Sequence, residues 1–193
     1  MTVYIVSGYP RSGTSMMMRA LIAGGMEAAY DDDRNGMARR ASDDHYQPNP
    51  DAELFELADW KYQSFGFPLA YQGKLIKAVT MHARNLDVCP MKVVFMRRHP
   101  EEIRQSFHAF FQTRRAPSVE QITNEVEWTL RQMRDRRSIE LVDFSYRDVL
   151  ATPLDHMRAL VTAGWPIDPV AAAREVRPEL MRYRAEQLEV GIA

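Results

Sequence analysis

A short apolar run, Val3-Tyr4-Ile5-Val6-Ser7-Gly8, passes directly into Tyr9-Pro10-Arg11-Ser12-Gly13-Thr14-Ser15, and Met16, Met17 and Leu21 follow at helical spacing. A strand that enters a glycine-framed turn and leaves as a helix constrains the rest of the fold. The helix must pack back on the sheet that holds the strand, which is the start of a βαβ unit. Gly8 and Gly13 have the spacing of the phosphate-binding loop G-x-x-x-x-G-K-[ST], with Ser15 in the Ser/Thr place. The lysine slot holds Thr14, and the positive charge lies instead at Arg11. Loop amides backed by a helix N-terminus form an anion cradle whatever the side chains are. The motif therefore predicts an anion-binding loop in which the displaced cation changes the anion held; a plain two-glycine turn is the simpler alternative.

Other strands and helices alternate after it. The pattern predicts a helix over 51–65 from Leu54, Leu57 and Ala58, and a strand over 74–79. A loop then runs through Cys89 to Met91-Lys92-Val93-Val94-Phe95-Met96, an apolar run of the kind buried inside a parallel sheet. Pro100, Glu101 and Glu102 mark the first turn of the next helix. Ser118-Val119-Glu120-Gln121 reads as a capping box opening a helix to residue 137, with Val119, Ile122, Val126, Leu130 and Met133 on one face. A fourth strand is expected over 139–144. Thr152-Pro153-Leu154-Asp155 caps a further helix that Gly164 ends, and short helices are expected near 168–175 and 178–188. Residues 29–50, with Asp31-Asp32-Asp33, Arg39-Arg40 and two prolines, read as a long, mobile loop, either a solvated surface or a lid.

The fold class is α/β: a three-layer, P-loop-type parallel sheet of four to five strands flanked by helices. The 193 residues suit a single domain spanning 1–193, and 46% hydrophobic with 26% charged residues argues against disorder. A formal net charge of −1 provides no global field for nucleic acid or anionic membrane, so any anion site must be local. One cysteine, Cys89, excludes an intrachain disulfide and a multi-cysteine metal site and reads as an inert buried thiol. With neither a leader pattern nor an apolar stretch of roughly 18 residues, a cytoplasmic protein without a membrane span is expected.

Ligands of parallel sheets bind beyond the carboxyl ends of the strands. Gly8, Val79, Arg97 and Ser145 stand at four such ends, and their loops should converge on one cleft. A second constellation lies at the third of them, Arg98-His99-Pro100-Glu101-Glu102-Ile103-Arg104-Gln105-Ser106. An arginine fork and a hydroxyl two turns into the next helix suit a phosphate monoester. The alternative is an Arg98 that neutralises Glu101 or Glu102 and a Ser106 on the surface.

Together the two constellations resemble the sulfotransferase superfamily that uses 3′-phosphoadenosine 5′-phosphosulfate (PAPS), and most closely its short bacterial and phage members. That family's first loop, Pro-[Lys/Arg]-Ser-Gly-Thr-[Ser/Thr], is matched by Pro10, Arg11, Ser12, Gly13, Thr14 and Ser15. Its Arg-x-Pro with a serine eight residues after the arginine is matched by Arg98, Pro100 and Ser106. Phe144-Ser145-Tyr146-Arg147-Asp148-Val149 is similar to the Tyr-Glu-Asp-Leu stretch after its last core strand. The resemblance covers residues 3–165. It implies PAPS or its product PAP as cofactor, no metal, and a small-molecule, carbohydrate or lipid acceptor bearing a hydroxyl or amine. The first loop would hold the 5′-phosphosulfate, and Arg98 with Ser106 the 3′-phosphate. The family's C-terminal Arg-Lys-Gly is absent; Arg177, Arg182 and Arg184 are substitutes or a solvated face.

The resemblance further implies a catalytic set of Arg11, Lys77 and a base. The family histidine of Lys-Thr-His is displaced here to His82, within Lys77-Ala78-Val79-Thr80-Met81-His82. His108 and the carboxylates Glu53 and Glu56 are rivals. Two other functions stay open: a P-loop kinase or NTPase with a degenerate loop, and a non-catalytic nucleotide binder.

Overall fold

The computed structural model describes residues 2–34, 36, 53–64, 66–83, 89–111 and 116–181. Four strands form its sheet: β1 (Val3–Gly8), β2 (Leu75–Lys77), β3 (Met91–Arg97) and β4 (Ile139–Ser145). Their spatial order is β2-β1-β3-β4 and every neighbouring pair is parallel. The expected α/β architecture with a parallel sheet is therefore what the chain adopts. The glycine-framed segment lies at the centre of it, because β1 pairs on both sides, Ile5 opposite Ile76 and Val93.

Alternation along each strand divides the core into two layers. Val6, Leu75, Val94, Met96 and Phe144 face one side, where they meet Met17, Met18 and Leu21 of α1 (Thr14–Ala23). Val149 of α6 (Tyr146–Ala151), Met157 and Leu160 of α7 (Pro153–Thr162) and Ala172 of α8 (Pro169–Arg174) complete that layer. Val3, Ile5, Ile76, Val93 and Phe95 face the other side, against Leu57, Tyr62 of α2 (Asp59–Tyr62), and Leu130 and Met133 of α5 (Val119–Arg134). Full burial of each such large side chain contributes about 2 kcal/mol. Two further helices follow strand ends: α3 (Thr80–Ala83) after β2 and α4 (Pro100–Phe111) after β3.

The capping box at Ser118 is reciprocal: Gln121 N–H donates to Ser118 Oγ at 3.1 Å and Ser118 N–H donates to Gln121 Oε1 at 2.8 Å. Val119 nevertheless lies 41% exposed at the start of that helix, outside the buried stripe of Ile122, Leu130 and Met133. Thr152 stands at the N-cap of α7 but provides no side-chain cap. Its hydroxyl donates back to the Asp148 carbonyl at 3.3 Å, a local bond that competes with capping. Gly164 ends α7 with φ +79°, as expected.

The helix expected over 51–65 is not formed. Residues 53–58 are irregular, with Glu56 bridged in parallel to Lys77, and among the described residues of this stretch only α2 is helical. Tertiary hydrogen bonds override the helical spacing of Leu54, Leu57 and Ala58. Asp31 N–H donates to the Glu56 carbonyl at 3.0 Å, Leu57 N–H to Tyr62 Oη at 3.1 Å and Ala58 N–H to Asp31 Oδ2 at 2.6 Å. Near the end of the described chain a 3₁₀ turn at Pro178–Leu180 stands where the last helix was expected. Most of the 29–50 loop, with Arg39, Arg40, Pro48 and Pro50, lies outside the described residues, as do Arg182 and Arg184.

Candidate functional site

Backbone geometry fixes the first loop. Gly8 has φ +147°, and a Cβ there would meet Ser12 Oγ at 2.4 Å and the Met96 carbonyl at 2.6 Å. Gly13 has φ +99°, and its Cβ would stand 2.4 Å from Cδ2 of the Tyr146 ring. Between them Arg11 takes φ +75°, a left-handed conformation that non-glycine residues adopt at a cost of about 1–3 kcal/mol. Such strain persists where the surroundings hold it, and the surroundings do. Ser12 N–H donates to the Tyr9 carbonyl at 3.0 Å, and the Arg11 carbonyl accepts from Arg98 Nη1 at 3.2 Å. Helix α1 then starts at Gly13 with no side-chain cap and no acidic residue in its first turn. Its leading N–H groups are orphan donors of the kind that hold anions.

The second constellation meets the first. Arg11 Nε donates to Ser106 Oγ at 3.2 Å, across 95 residues of sequence, and Ser106 is buried, so it is no surface residue. Arg98 Nε donates to Glu102 Oε2 at 2.9 Å, and its guanidinium carbon lies 4.7 Å from the Tyr146 ring centroid. Of the two carboxylates the sequence offered to Arg98, Glu102 is the partner; Glu101 binds Arg104, with Nε at 2.8 Å. The Glu102 side chain is fully buried, and its other oxygen accepts from Arg147 Nη2 at 2.5 Å. Pairing does not withdraw Arg98 from function, because it still lines the cleft. A carboxylate behind a guanidinium fixes its direction.

That cleft has a volume of about 590 Å³. Pro10, Arg11, Gly13, Thr14, Ser15, Lys77, Val79, Arg98 and Tyr146 all border it, so the loops after the four strands converge as expected. Ser12 is buried just beneath, its Oγ without a hydrogen-bond partner among the described residues. Arg177 also reaches the cleft. Sequence reasoning missed the border residues Arg19, Arg34, Phe107, Phe110 and Phe111. The phenylalanines carried a readable signal, an i, i+3, i+4 aromatic set directly after Ser106.

The catalytic candidates separate clearly. Lys77 is buried; its Nζ donates to the Leu54 carbonyl at 2.6 Å and Ser15 Oγ at 3.2 Å and pairs with Glu56 Oε1 at 3.2 Å. Burial pushes its pKa down, and the Glu56 carboxylate opposes that shift. Glu56 also accepts from Arg34 at 3.3 Å. His82 borders the cleft and stacks on Tyr62 at 3.9 Å between ring centroids. Desolvation lowers its pKa below the ordinary 6.5; Glu56 and Asp59, the latter 3.7 Å away, pull the other way without prevailing. Its Nδ1 is buried without a hydrogen-bond partner among the described residues. His108 is exposed on α4 and is not among the described residues that border the cleft. Glu53 borders it. Asp143 of β4 accepts from Arg97 at 2.7 Å and Arg134 at 3.0 Å.

A similar solved structure is the sulfotransferase domain from the Synechococcus PCC 7002 olefin synthase, with a TM-score of 0.52 and 14% identity over 98% of this chain and 82% of that one. The fold is sulfotransferase-like. No family model and no curated protein matches the sequence. Within this sulfotransferase-like fold, the glycine-framed loop, Arg98 and Ser106 border one cleft. The described residues include no helix long and apolar enough to cross a membrane.

Proposed function

We propose that the chain is a PAPS-dependent sulfotransferase acting on a hydroxyl or amine acceptor. One observation carries the reading. The Arg11–Ser106 hydrogen bond joins two constellations that lie 95 residues apart and that match the two nucleotide-gripping motifs of that family. The donor set fits such a nucleotide. Uncapped amides at the start of α1, with Thr14 and Ser15, suit a 5′-phosphosulfate, and the Glu102-backed guanidinium of Arg98 suits a 3′-phosphate. The Ser12 Oγ beneath the loop, which has no hydrogen-bond partner among the described residues, is a further polar atom that suits such a ligand.

When bound, the nucleotide supplies an activated sulfuryl group; the acceptor O–S or N–S bond forms as the bridging S–O bond breaks, leaving PAP. Arg11, Thr14, Ser15 and the loop amides stabilise the negative charge that grows on the departing phosphate, as preorganised donors do for an oxyanion. Lys77 adds positive charge from beneath the loop through its contact with Ser15. His82 takes the proton that the acceptor loses. Its depressed pKa keeps the imidazole neutral at physiological pH, as a base requires, whereas Glu56 is committed to Lys77 and Arg34.

The reading is tested by thermal melting with adenosine 3′,5′-bisphosphate against ATP with Mg²⁺. The bisphosphate is expected to raise the melting temperature; stabilisation by ATP with Mg²⁺ alone would favour a kinase or NTPase instead. Arg98→Ala is expected to weaken the bisphosphate by about 10- to 100-fold, the value of one or two charge-assisted hydrogen bonds. AMP, which lacks the 3′-phosphate, should bind the variant almost as it binds the parent; equal losses for both would reject the role. The pH profile of kcat/KM tests His82. Because its pKa is depressed, the rate should hold through the ordinary histidine value of 6.5 and fall tenfold per pH unit only at lower pH. Fold stability should also decline below about pH 6.5, where the unfolded chain takes up a proton that the folded site resists. His82→Asn should lower kcat at least about 100-fold and remove the acid limb. Survival of that limb in the variant would assign the base elsewhere.

A further inference from the structure

The cleft has two unlike halves, divided at Arg11. Toward β3 and β4 lie Gly13, Arg98 and Tyr146, the groups suited to a nucleotide. Toward β2 an apolar wall of Leu54, Val79, Met81, Phe107, Phe110 and Phe111 stands beside charged and polar side chains. The rings are continuous, Phe107 to Phe111 at 4.4 Å and Phe111 to Phe110 at 4.9 Å between centroids, and Phe110 packs against Leu54. This wall reaches the reacting centre itself, because the Arg11 guanidinium carbon lies 4.4 Å from the Phe110 centroid. At the mouth, Met81 is 59% and Phe111 51% exposed, large apolar surface that water solvates poorly.

The polar groups of this half are largely engaged with one another. Lys77 pairs with Glu56, Arg34 pairs with Glu56 and Asp59, and His82 lies near Asp59. A sugar presents a hydroxyl on nearly every carbon and needs a matching set of donors and acceptors, or it leaves polar groups unpaired at a cost. An apolar wall rewards carbon instead. We infer that the acceptor is an alcohol or phenol on a hydrocarbon framework, its carbon skeleton against the phenylalanine wall and its hydroxyl between Arg11 and His82. This rests on the sulfotransferase reading.

Calorimetric titration of the full chain, first with adenosine 3′,5′-bisphosphate and then with acceptor probes at saturating bisphosphate, separates the two proposals. Failure to bind the bisphosphate overturns the sulfotransferase reading and this inference with it. With the bisphosphate bound, 1-octanol or 2-naphthol is expected to bind at least tenfold more tightly than glucosamine, the alkyl and aryl probes telling chain from ring. Tighter or equal binding of glucosamine, or no binding of either alcohol, overturns the acceptor class and leaves the nucleotide site standing. Met81→Ser and Phe111→Ser, both on exposed side chains that the fold tolerates losing, should weaken the better alcohol about three- to tenfold each and the bisphosphate not at all. An equal loss for both ligands would mean that the wall holds the adenine instead.

Discussion

Gly13→Val is expected to destroy the anion loop. Two independent costs fall on this residue. A side chain at φ +99° costs about 1–2 kcal/mol through left-handed strain. The added Cβ would also lie 2.4 Å from the Tyr146 ring, and that ring is held by its own burial and by the Arg98 guanidinium against it. Displacing the ring would disturb that packing, so overpacking adds about 1–3 kcal/mol. The variant should lose about 2–5 kcal/mol in urea unfolding and bind adenosine 3′,5′-bisphosphate at least about 100-fold more weakly. Gly25 provides the matched control: it has φ +101° but nothing within 4 Å of its Cβ position. Gly25→Ala should show only the backbone cost, about 1–2 kcal/mol, with nucleotide binding intact. Equal behaviour of the two variants would show that Tyr146 does not constrain the loop.

Glu102→Ala carries the second large effect. Its carboxylate is fully buried between Arg98 at 2.9 Å and Arg147 at 2.5 Å. Removing one partner of a buried ion pair leaves uncompensated charge and costs about 3–5 kcal/mol. Glu102 is not among the described residues that line the cleft, whereas its partner Arg98 is, so its effect on ligand binding would pass through the direction of the Arg98 fork. Adenosine 3′,5′-bisphosphate should bind Glu102→Ala about tenfold more weakly, and the same substitution in an Arg98→Ala background should change affinity little further. Additive losses in the double variant would refute a positioning role. Glu102→Gln, which keeps shape and one acceptor, should recover most of the stability but less of the affinity.

Much of this site is legible in the residues because its chemistry is local. The apolar run of β1, the glycines at 8 and 13 and the single cation at Arg11 dictate a strand, a tight turn and a helix start without any tertiary information. The Arg98-to-Ser106 spacing is equally local, two turns of α4 bringing a hydroxyl to the strand-end arginine. What the sequence conceals are contacts made at a distance. Nothing near Glu56 announces that it will bridge to Lys77, and Leu54, Leu57 and Ala58 fit a helix by spacing alone. The left-handed turn at Phe55, φ +54°, sends Phe55 into one core layer and Leu57 into the other, which no amphipathic helix does. The choice among bases was hidden for the same reason: His82 and His108 are alike in sequence, and only the packing of α3 and α4 makes one a half-buried cleft residue and the other solvent-facing.

The irregular segment at 53–58 also shields an edge of the sheet. Strand β2 has three residues and β1 covers only one of its sides. On the other side Ala28 bridges to Leu75 and Glu56 to Lys77, and Ala29 N–H donates to the Leu75 carbonyl at 2.9 Å. These short crossings occupy main-chain groups that a bare outer strand would offer to a neighbouring molecule. The stretch that brings Glu56 to Lys77 is thus also a selvedge, finishing the cloth so that one copy of the sheet does not stitch itself to the next.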